Sequence, residues 1–157
     1  MPHLDAAYNL ARWLAGNEHD AQDIVQDSCM RALRFLGGYR GGNDRAWLLT
    51  IVRNTAFSWL KKNRPKAVVS IDEEEFPEIE DQTRTTEIFH DADAGVLRAA
   101  LEELPLEFRE ALVLRELEGL SYKEIAEVAE VPVGTVMSRL ARARRQLQNH
   151  LQQKGKV

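Results

Sequence analysis

Residues 121–148 read SYKEIAEVAEVPVGTVMSRLARARRQLQ, and their punctuation leaves little freedom in how they fold. Ser121 and Glu124 stand in the S-x-x-E arrangement, in which the hydroxyl and the carboxylate each accept from the other residue's amide. A helix therefore starts at Tyr122. Pro132 has no amide proton and restricts Val131, so that helix cannot pass it. A second helix begins near Val133, with Val136, Leu140, Ala143 and Leu147 at the spacing of one buried face. Thr135, Ser138, Arg139 and Arg142 fall on the other face.

The second helix is also basic. From Val131 to Val157 there are six Lys or Arg and no Asp or Glu. A short helix, a tight turn and a basic amphipathic helix fit the major groove of DNA. The whole chain nevertheless carries a formal net charge of −4, which is not the signature of a nucleic-acid binder. Segregation of charge reconciles the two. Residues 1–63 hold eight Lys/Arg and six Asp/Glu, residues 96–157 hold ten and nine, and residues 64–95 hold three and ten. Two near-neutral blocks flanking an acidic connector imply two small domains and a linker.

Blocks of about 60 residues bury only about 60% of their unfolded surface, so each is marginally stable alone. The single Cys29 excludes an internal disulfide and suits a reducing cytoplasm. No stretch approaches the roughly 20 apolar residues of a membrane span. The N-terminal MPHLDAAYNLARWL lacks the basic flank and cleavage site of a signal peptide. The expectation is a soluble, cytoplasmic chain.

Helical periodicity runs through both blocks. Leu4, Ala7, Tyr8, Ala11, Leu14 and Ala15 form a stripe that Gly16 and Asn17 stop. A second helix spans about Asp20 to Leu36, with Ala21, Ile24, Val25, Ser28, Ala32, Leu33 and Leu36 as its apolar face. Gly37 to Asn43 is a glycine-rich loop. A third helix, about Asp44 to Asn63, starts with Asp44 or Asn43 as its cap and carries Trp47, Leu48, Ile51, Val52, Thr55, Trp59 and Leu60. Periodicity is lost from Pro65 to about Asp91, an acidic stretch read as an extended or disordered linker. It returns at about Ala92 with Val96, Leu97, Ala100, Leu101 and Leu104, and Pro105 opens a further helix ending at Gly119. No useful β-alternation appears. The fold class is all-α.

Taken in order, these segments resemble bacterial sigma factors of the extracytoplasmic-function group, in the two-domain minimal form of the sigma-70 family. HDAQDIVQDSCMRALR (19–34) is similar to the family's polymerase-binding helix, and RAWLLTIVRNTAFSWLKKNR (45–64) to its minus-ten helix. LPLEFREALVLRELEGLSYKEIAEV (104–128) with VPVGTVMSRLARAR (131–144) resembles its minus-thirty-five domain. The resemblance implies a region 2-like domain over 1–65, an acidic linker over 66–90 and a region 4-like helix-turn-helix domain over 91–157. It also implies core RNA polymerase and promoter DNA as partners and an anti-sigma protein as regulator, with no enzymatic activity and no cofactor.

Site residues follow from the resemblance and from side-chain chemistry. Asp23, Gln26 and Asp27 would dock on polymerase, or are ordinary solvated residues of a helix face. At the minus-ten element, Tyr39 is placed to stack on an unpaired base, Arg40 and Arg53 to meet phosphates, and Asn43 and Asn54 to offer amide groups. Asn54 reads equally as a surface residue. Lys61 and Lys62 suit phosphates, though basic residues at a helix C-terminus also complement its dipole. Trp47 and Trp59 read first as core. At the minus-thirty-five element, Thr135, Ser138, Arg139 and Arg142 are the groove residues, with Arg144 and Arg145 nearer the backbone.

Three positions depart from the family's pattern. Met137 replaces a frequent Lys or Arg, Ala141 leaves no large side chain, and Glu130 stands where Gly is frequent. Left-handed backbone at Glu130 would cost about 1 kcal/mol. In the linker, residues 72–81 read either as an anionic mimic of nucleic acid or as a plain tether.

Other functions fit less well. A free-standing DNA-binding regulator would share the helix-turn-helix but not residues 19–64. A nucleic-acid enzyme lacks its motifs, since His3, His19, His90 and His150 have no metal-ligand spacing and no P-loop is present. A scaffold that binds only an anti-sigma protein would keep the helices and lose DNA binding.

Overall fold

The structure is a computed structural model that describes residues 3–39, 41–67 and 93–155. Seven α-helices make up its frame among the described residues: α1 (Leu4–Ala15), α2 (Glu18–Phe35), α3 (Asp44–Asn63), α4 (Ala94–Glu102), α5 (Leu106–Leu112), α6 (Tyr122–Ala129) and α7 (Val133–Gly155). A π-helical turn, Val113–Leu117, extends α5, and no strand occurs among these residues. The expected all-α class holds. Arg40 and the acidic run 72–81 lie outside the described residues.

Local signals set most boundaries. Asn17 caps α2 by accepting from the Asp20 amide, and Asn43 caps α3 by accepting from the Ala46 amide. Asp93 accepts from the amides of Gly95 and Val96 at the start of α4. The capping box at α6 is complete: Ser121 accepts from the Glu124 amide and Glu124 from the Ser121 amide. Each such cap contributes about 1 kcal/mol by satisfying a donor the helix leaves orphaned.

Helices α1, α2 and α3 pack pairwise into one bundle, while α4, α5 and α6 each lie against α7 in a second. The two bundles touch, α3 against α6 and α1 against α5. One apolar cluster runs through both, including Leu10, Leu14, Ile24, Leu49 and Leu60 of the first and Phe108, Leu112, Ile125, Leu140 and Leu147 of the second. Burying each such side chain contributes about 1.5–3 kcal/mol. Docking therefore gives each small bundle core area that it lacks alone.

The periodicity of α2 overreaches at its end. Ala21, Ile24, Ser28 and Ala32 are buried as expected, but Leu33 is 68% exposed and Leu36 53% exposed. Leu36 has already left the α-helix for a short 3₁₀ turn, Leu36–Gly38. Met30 and Phe35 are exposed beside them, so the helix ends in an apolar surface patch.

Helix α3 is the opposite case. Ala46, Leu48, Leu49, Val52, Thr55, Ala56 and Leu60 are all buried, on more than one face. A helix apolar on several sides is one covered on several sides. Here α1 and α2 cover one flank and α6 another.

Candidate nucleic-acid interface

The glycine-rich loop and the start of α3 enclose a cavity of about 360 Å³ lined by Gly38, Tyr39, Gly41, Asn43, Ala46, Trp47, Thr50 and Glu127. Gly41 and Gly42 have φ of 88° and 102°, backbone that glycine adopts without steric cost. The loop can therefore fold back over α3. Tyr39 lies with its ring centroid 4.7 Å from that of Trp47, at 44°. Its hydroxyl is buried without a hydrogen-bond partner. Trp47 and Trp59 are both half-buried against the core, and Arg64 sits over the Trp59 ring.

Further along α3, three polar residues meet carboxylates of the second bundle. Asn43 Nδ2 donates to Glu124 Oε2 at 2.6 Å, Arg53 Nε to Glu110 Oε2 at 2.7 Å, and Asn54 Nδ2 to Glu130 Oε1 at 3.0 Å. Arg45, which the sequence did not single out, donates to the Glu118 carbonyl at 3.1 Å and lies 3.5 Å from the Glu124 carboxylate. Lys61 and Lys62 are exposed at the C-terminal end of α3.

Electrostatics differ sharply among these glutamates. Burial raises the Glu110 carboxyl above its ordinary value, opposed by Arg53 and, more weakly, by Arg139. Arg53 of the first bundle thus pairs with a carboxylate buried in the second. Glu124 moves the other way, lowered first by the Ser121 amide and then by Asn43. Glu118 is raised by burial, partly offset by Asn9 and Arg45.

Glu130 ends α6 with φ 58° and ψ 47°. It is the one non-glycine residue with positive φ among the described residues, as its position in the turn implied. The side chain that it carries there is the one that reaches Asn54.

On α7 the expected inward stripe is buried: Val136, Leu140, Ala143 and Leu147 are each at most 1% exposed. The expected outward residues divide. Thr135, Arg139 and Arg142 are half-buried, Ser138 is 9% exposed, and Arg145 is exposed. Arg142 lies 5.3 Å from the Phe108 ring centroid. Arg144 is 4% exposed, with Nη2 3.8 Å from Glu116, so it faces the protein rather than solvent in this conformation. Val133 and Met137 are exposed on the first turns.

Asp23 and Gln26 are exposed on α2 and Asp27 is half-buried, with Asp27 3.4 Å from Arg31. His19, Asp20 and Asp23 gather ligand atoms within 4.8 Å of one another. Asp20, however, is already held by Arg64 at 3.2 Å and by Asn17 at 2.8 Å, which leaves no set of free inward-facing donors.

Sequence reasoning missed Arg109. Its guanidinium donates to the carbonyls of Trp13 and Leu14 at the end of α1 and of Leu101, Glu102 and Leu104 around the end of α4. It therefore caps a helix of each bundle. The available signal was its place at the junction beside Pro105, but no motif marks such a residue.

A helix-turn-helix beside a bundle that presents aromatic and amide groups around a small cavity has the architecture of a DNA-binding protein of two helical parts. Comparison with known proteins narrows this. Residues 1–66 match Sigma-70 region 2 and residues 94–147 match Sigma-70, region 4. The chain is 37% identical over 150 residues to the ECF RNA polymerase sigma factor SigE of Mycolicibacterium smegmatis, covering 95% of this chain and 58% of that protein. It is 37% identical over 142 residues to the RNA polymerase sigma-H factor of Pseudomonas aeruginosa, covering 85% and 74%. Among solved structures, the sigma factor RpoE of Bartonella quintana, in complex with the anti-sigma factor NepR, matches with a TM-score of 0.72 and 30% identity, covering 95% of this chain and 91% of that one. The chain belongs to the sigma-70 family of RNA polymerase sigma factors, in its extracytoplasmic-function group.

Proposed function

We propose that this chain binds core RNA polymerase, directs it to promoters and assists duplex opening, without enzymatic activity or a cofactor of its own. Residues 1–65 dock on polymerase through Asp23, Gln26 and Asp27 and hold the minus-ten element. Tyr39, Asn43, Arg53 and Asn54 lie on or next to the loop-and-α3 surface, with Arg40, Lys61 and Lys62 meeting phosphates. Residues 91–157 read the minus-thirty-five element through Thr135, Ser138, Arg139 and Arg142, with Arg145 on the backbone, and residues 66–90 connect the two.

The observation that carries this reading is the order of the two matched regions, each on a helical bundle of its own. The cavity beside Tyr39 has room for an unpaired base, and taking a base out of its stack costs a few kcal/mol that such a pocket can offset. Arg144, buried beside Glu116, meets the DNA backbone only if that side chain turns outward. An anti-sigma protein is the expected regulator, as in the complex of the Bartonella relative. Among the described residues no helix is long and apolar enough to cross a membrane, and the site of action is the cytoplasm, where polymerase and promoter DNA meet.

Run-off transcription with purified core polymerase on a promoter library tests the assignment. A defined start site that depends on this chain is the expected result. Absence of any specific start, together with no binding to core, overturns it.

A further inference from the structure

We propose that Val133 and Met137 form a thymine reader: on the first two turns of α7 they present an apolar pair to C5-methyl groups of the upstream promoter element. This rests on the assignment of α7 to the minus-thirty-five element above. Opposite the buried stripe of Val136, Leu140, Ala143 and Leu147, α7 turns Val133 and Met137 outward, 41% and 47% exposed. They stand at i and i+4, so their side chains are neighbours. Ala141, the next step along, is 8% exposed, and the stripe opens again at Arg145. The uncovered apolar surface is therefore confined to the end of α7 that follows the turn. A recognition helix brings that end to the base edges.

The same end carries no charge. Between Glu130 and Arg139 there is no Lys, Arg, Asp or Glu, whereas Arg139, Arg142, Arg144 and Arg145 follow closely. Of the groups on the major-groove edge, only the thymine C5-methyl is apolar. Set against any other edge, Val133 and Met137 would strip water from a donor or acceptor and return no hydrogen bond. Against a methyl they remove apolar surface from water. Val133 is stiff at χ1, and the unbranched thioether of Met137 adapts its shape to the methyl beside it.

Gly134 is an independent observation. It lies exposed between the two, in α-helix and without positive φ. A Cβ there would meet nothing within 4 Å. Neither packing nor backbone conformation within the chain calls for glycine, which weakens a helix. Its bare backbone lets a base-pair edge come close to the first turn, between the two apolar side chains.

The test uses holoenzyme, core polymerase with the full chain, on a promoter selected by run-off transcription from a library. Each thymine of the upstream element is replaced in turn by deoxyuridine, which loses the methyl and keeps every hydrogen-bonding group. At one position or more, wild type should bind about three- to fivefold more weakly, the scale of one methyl group returned to water. Val133→Ala and Met137→Ala should each reduce that response, and the double variant should abolish it. Met137→Leu, apolar and of similar volume, should keep it. Gly134→Ala should raise the urea midpoint, since alanine is the better helix former, and yet weaken promoter binding. No response at any thymine, an upstream element without thymine, or a response as large in the double variant as in wild type overturns the proposal. So does wild-type promoter affinity in Gly134→Ala. Absence of any specific start with the wild-type chain refutes the sigma assignment itself. A specific start with binding blind to the methyl refutes the thymine reading alone.

Discussion

Arg53 Nε donates across 2.7 Å to Glu110, whose side chain is 1% exposed, and this bond joins α3 of one bundle to α5 of the other. The Arg53 guanidinium also lies 3.8 Å from the Phe57 ring centroid, so a residue expected to meet phosphates is instead held on two sides by protein. Removing one partner of a buried pair leaves the other without compensation, which costs more than the pair contributes. Arg53→Met should therefore destabilise the chain by about 3 kcal/mol in urea titrations. Arg53→Met with Glu110→Leu should recover most of that loss. A single variant within about 0.5 kcal/mol of wild type, the scale of ordinary surface substitutions, would show that Glu110 is indifferent to Arg53.

The same glutamate gives stability a pH dependence of unusual sign. Burial raises the folded-state value of Glu110, so between the ordinary and the raised value the folded chain binds more protons than the unfolded chain. Its contribution is fully present below the ordinary carboxyl value and is lost as pH rises through the raised one. Glu124, lowered by the Ser121 amide, does the reverse, losing its contribution as pH falls through the depressed value. Urea midpoints measured from pH 4 to 8 should decline toward the upper end in wild type. Glu110→Gln should flatten that decline, and an unchanged slope in this variant would remove Glu110 as its source.

What the sequence disclosed and what it hid divide along physical lines. Helix starts were legible because caps are local: Ser121 with Glu124, and Asn43 before Asp44, signal their helices within four residues. The burial of Val136, Leu140, Ala143 and Leu147 was legible because one period generates it. Contact between the bundles was not. Asn43 and Glu124 are 81 positions apart and Asn54 and Glu130 are 76 apart, and no pattern within one helix connects such residues. The exposure of Leu33 and Leu36 was hidden for a related reason. Periodicity names an apolar face but not how far along the helix its neighbour extends.

Arg109 joins the bundles through five backbone carbonyls, and its burial lowers its value from that of a free guanidinium. A lysine ammonium has three donors on one atom and cannot span carbonyls at two helix ends. Arg109→Lys should therefore cost about 2 kcal/mol, counting at least one buried carbonyl left unpaired and weaker bonds to the rest. Amide hydrogen exchange should locate the loss at the ends of α1 and α4. Unchanged protection at both ends would mean that lysine caps them equally well.

Met137 is 47% exposed on the first turns of α7, where a thioether makes no bond to phosphate or to a base edge. Met137→Arg adds a cation on an accessible surface without disturbing the core stripe. If this surface faces DNA in the holoenzyme, promoter affinity should rise at low salt. The slope of log K against log salt should steepen by about 0.9 for one added phosphate contact. An unchanged slope would place Met137 away from the duplex, and with it the orientation assumed for α7.

Separate roles for the two bundles predict separable defects. In holoenzyme, Asn54→Ala should impair the downstream element or duplex opening while leaving upstream preference intact. Arg139→Ala with Arg142→Ala should relax the choice of upstream bases, by about 1–3 kcal/mol for each guanidinium that reads a guanine. Arg144→Ala supplies the contrast, because its side chain lies buried beside Glu116. It should lower thermal stability while leaving the ranking of promoters in a library unchanged. Arg142 also touches the protein, at the Phe108 ring. A fall in stability is thus expected for the double variant too, and only the promoter ranking discriminates. If Asn54→Ala and the arginine variants all reduce binding equally at every promoter, neither bundle reads sequence through these residues, and their contribution is bulk affinity alone.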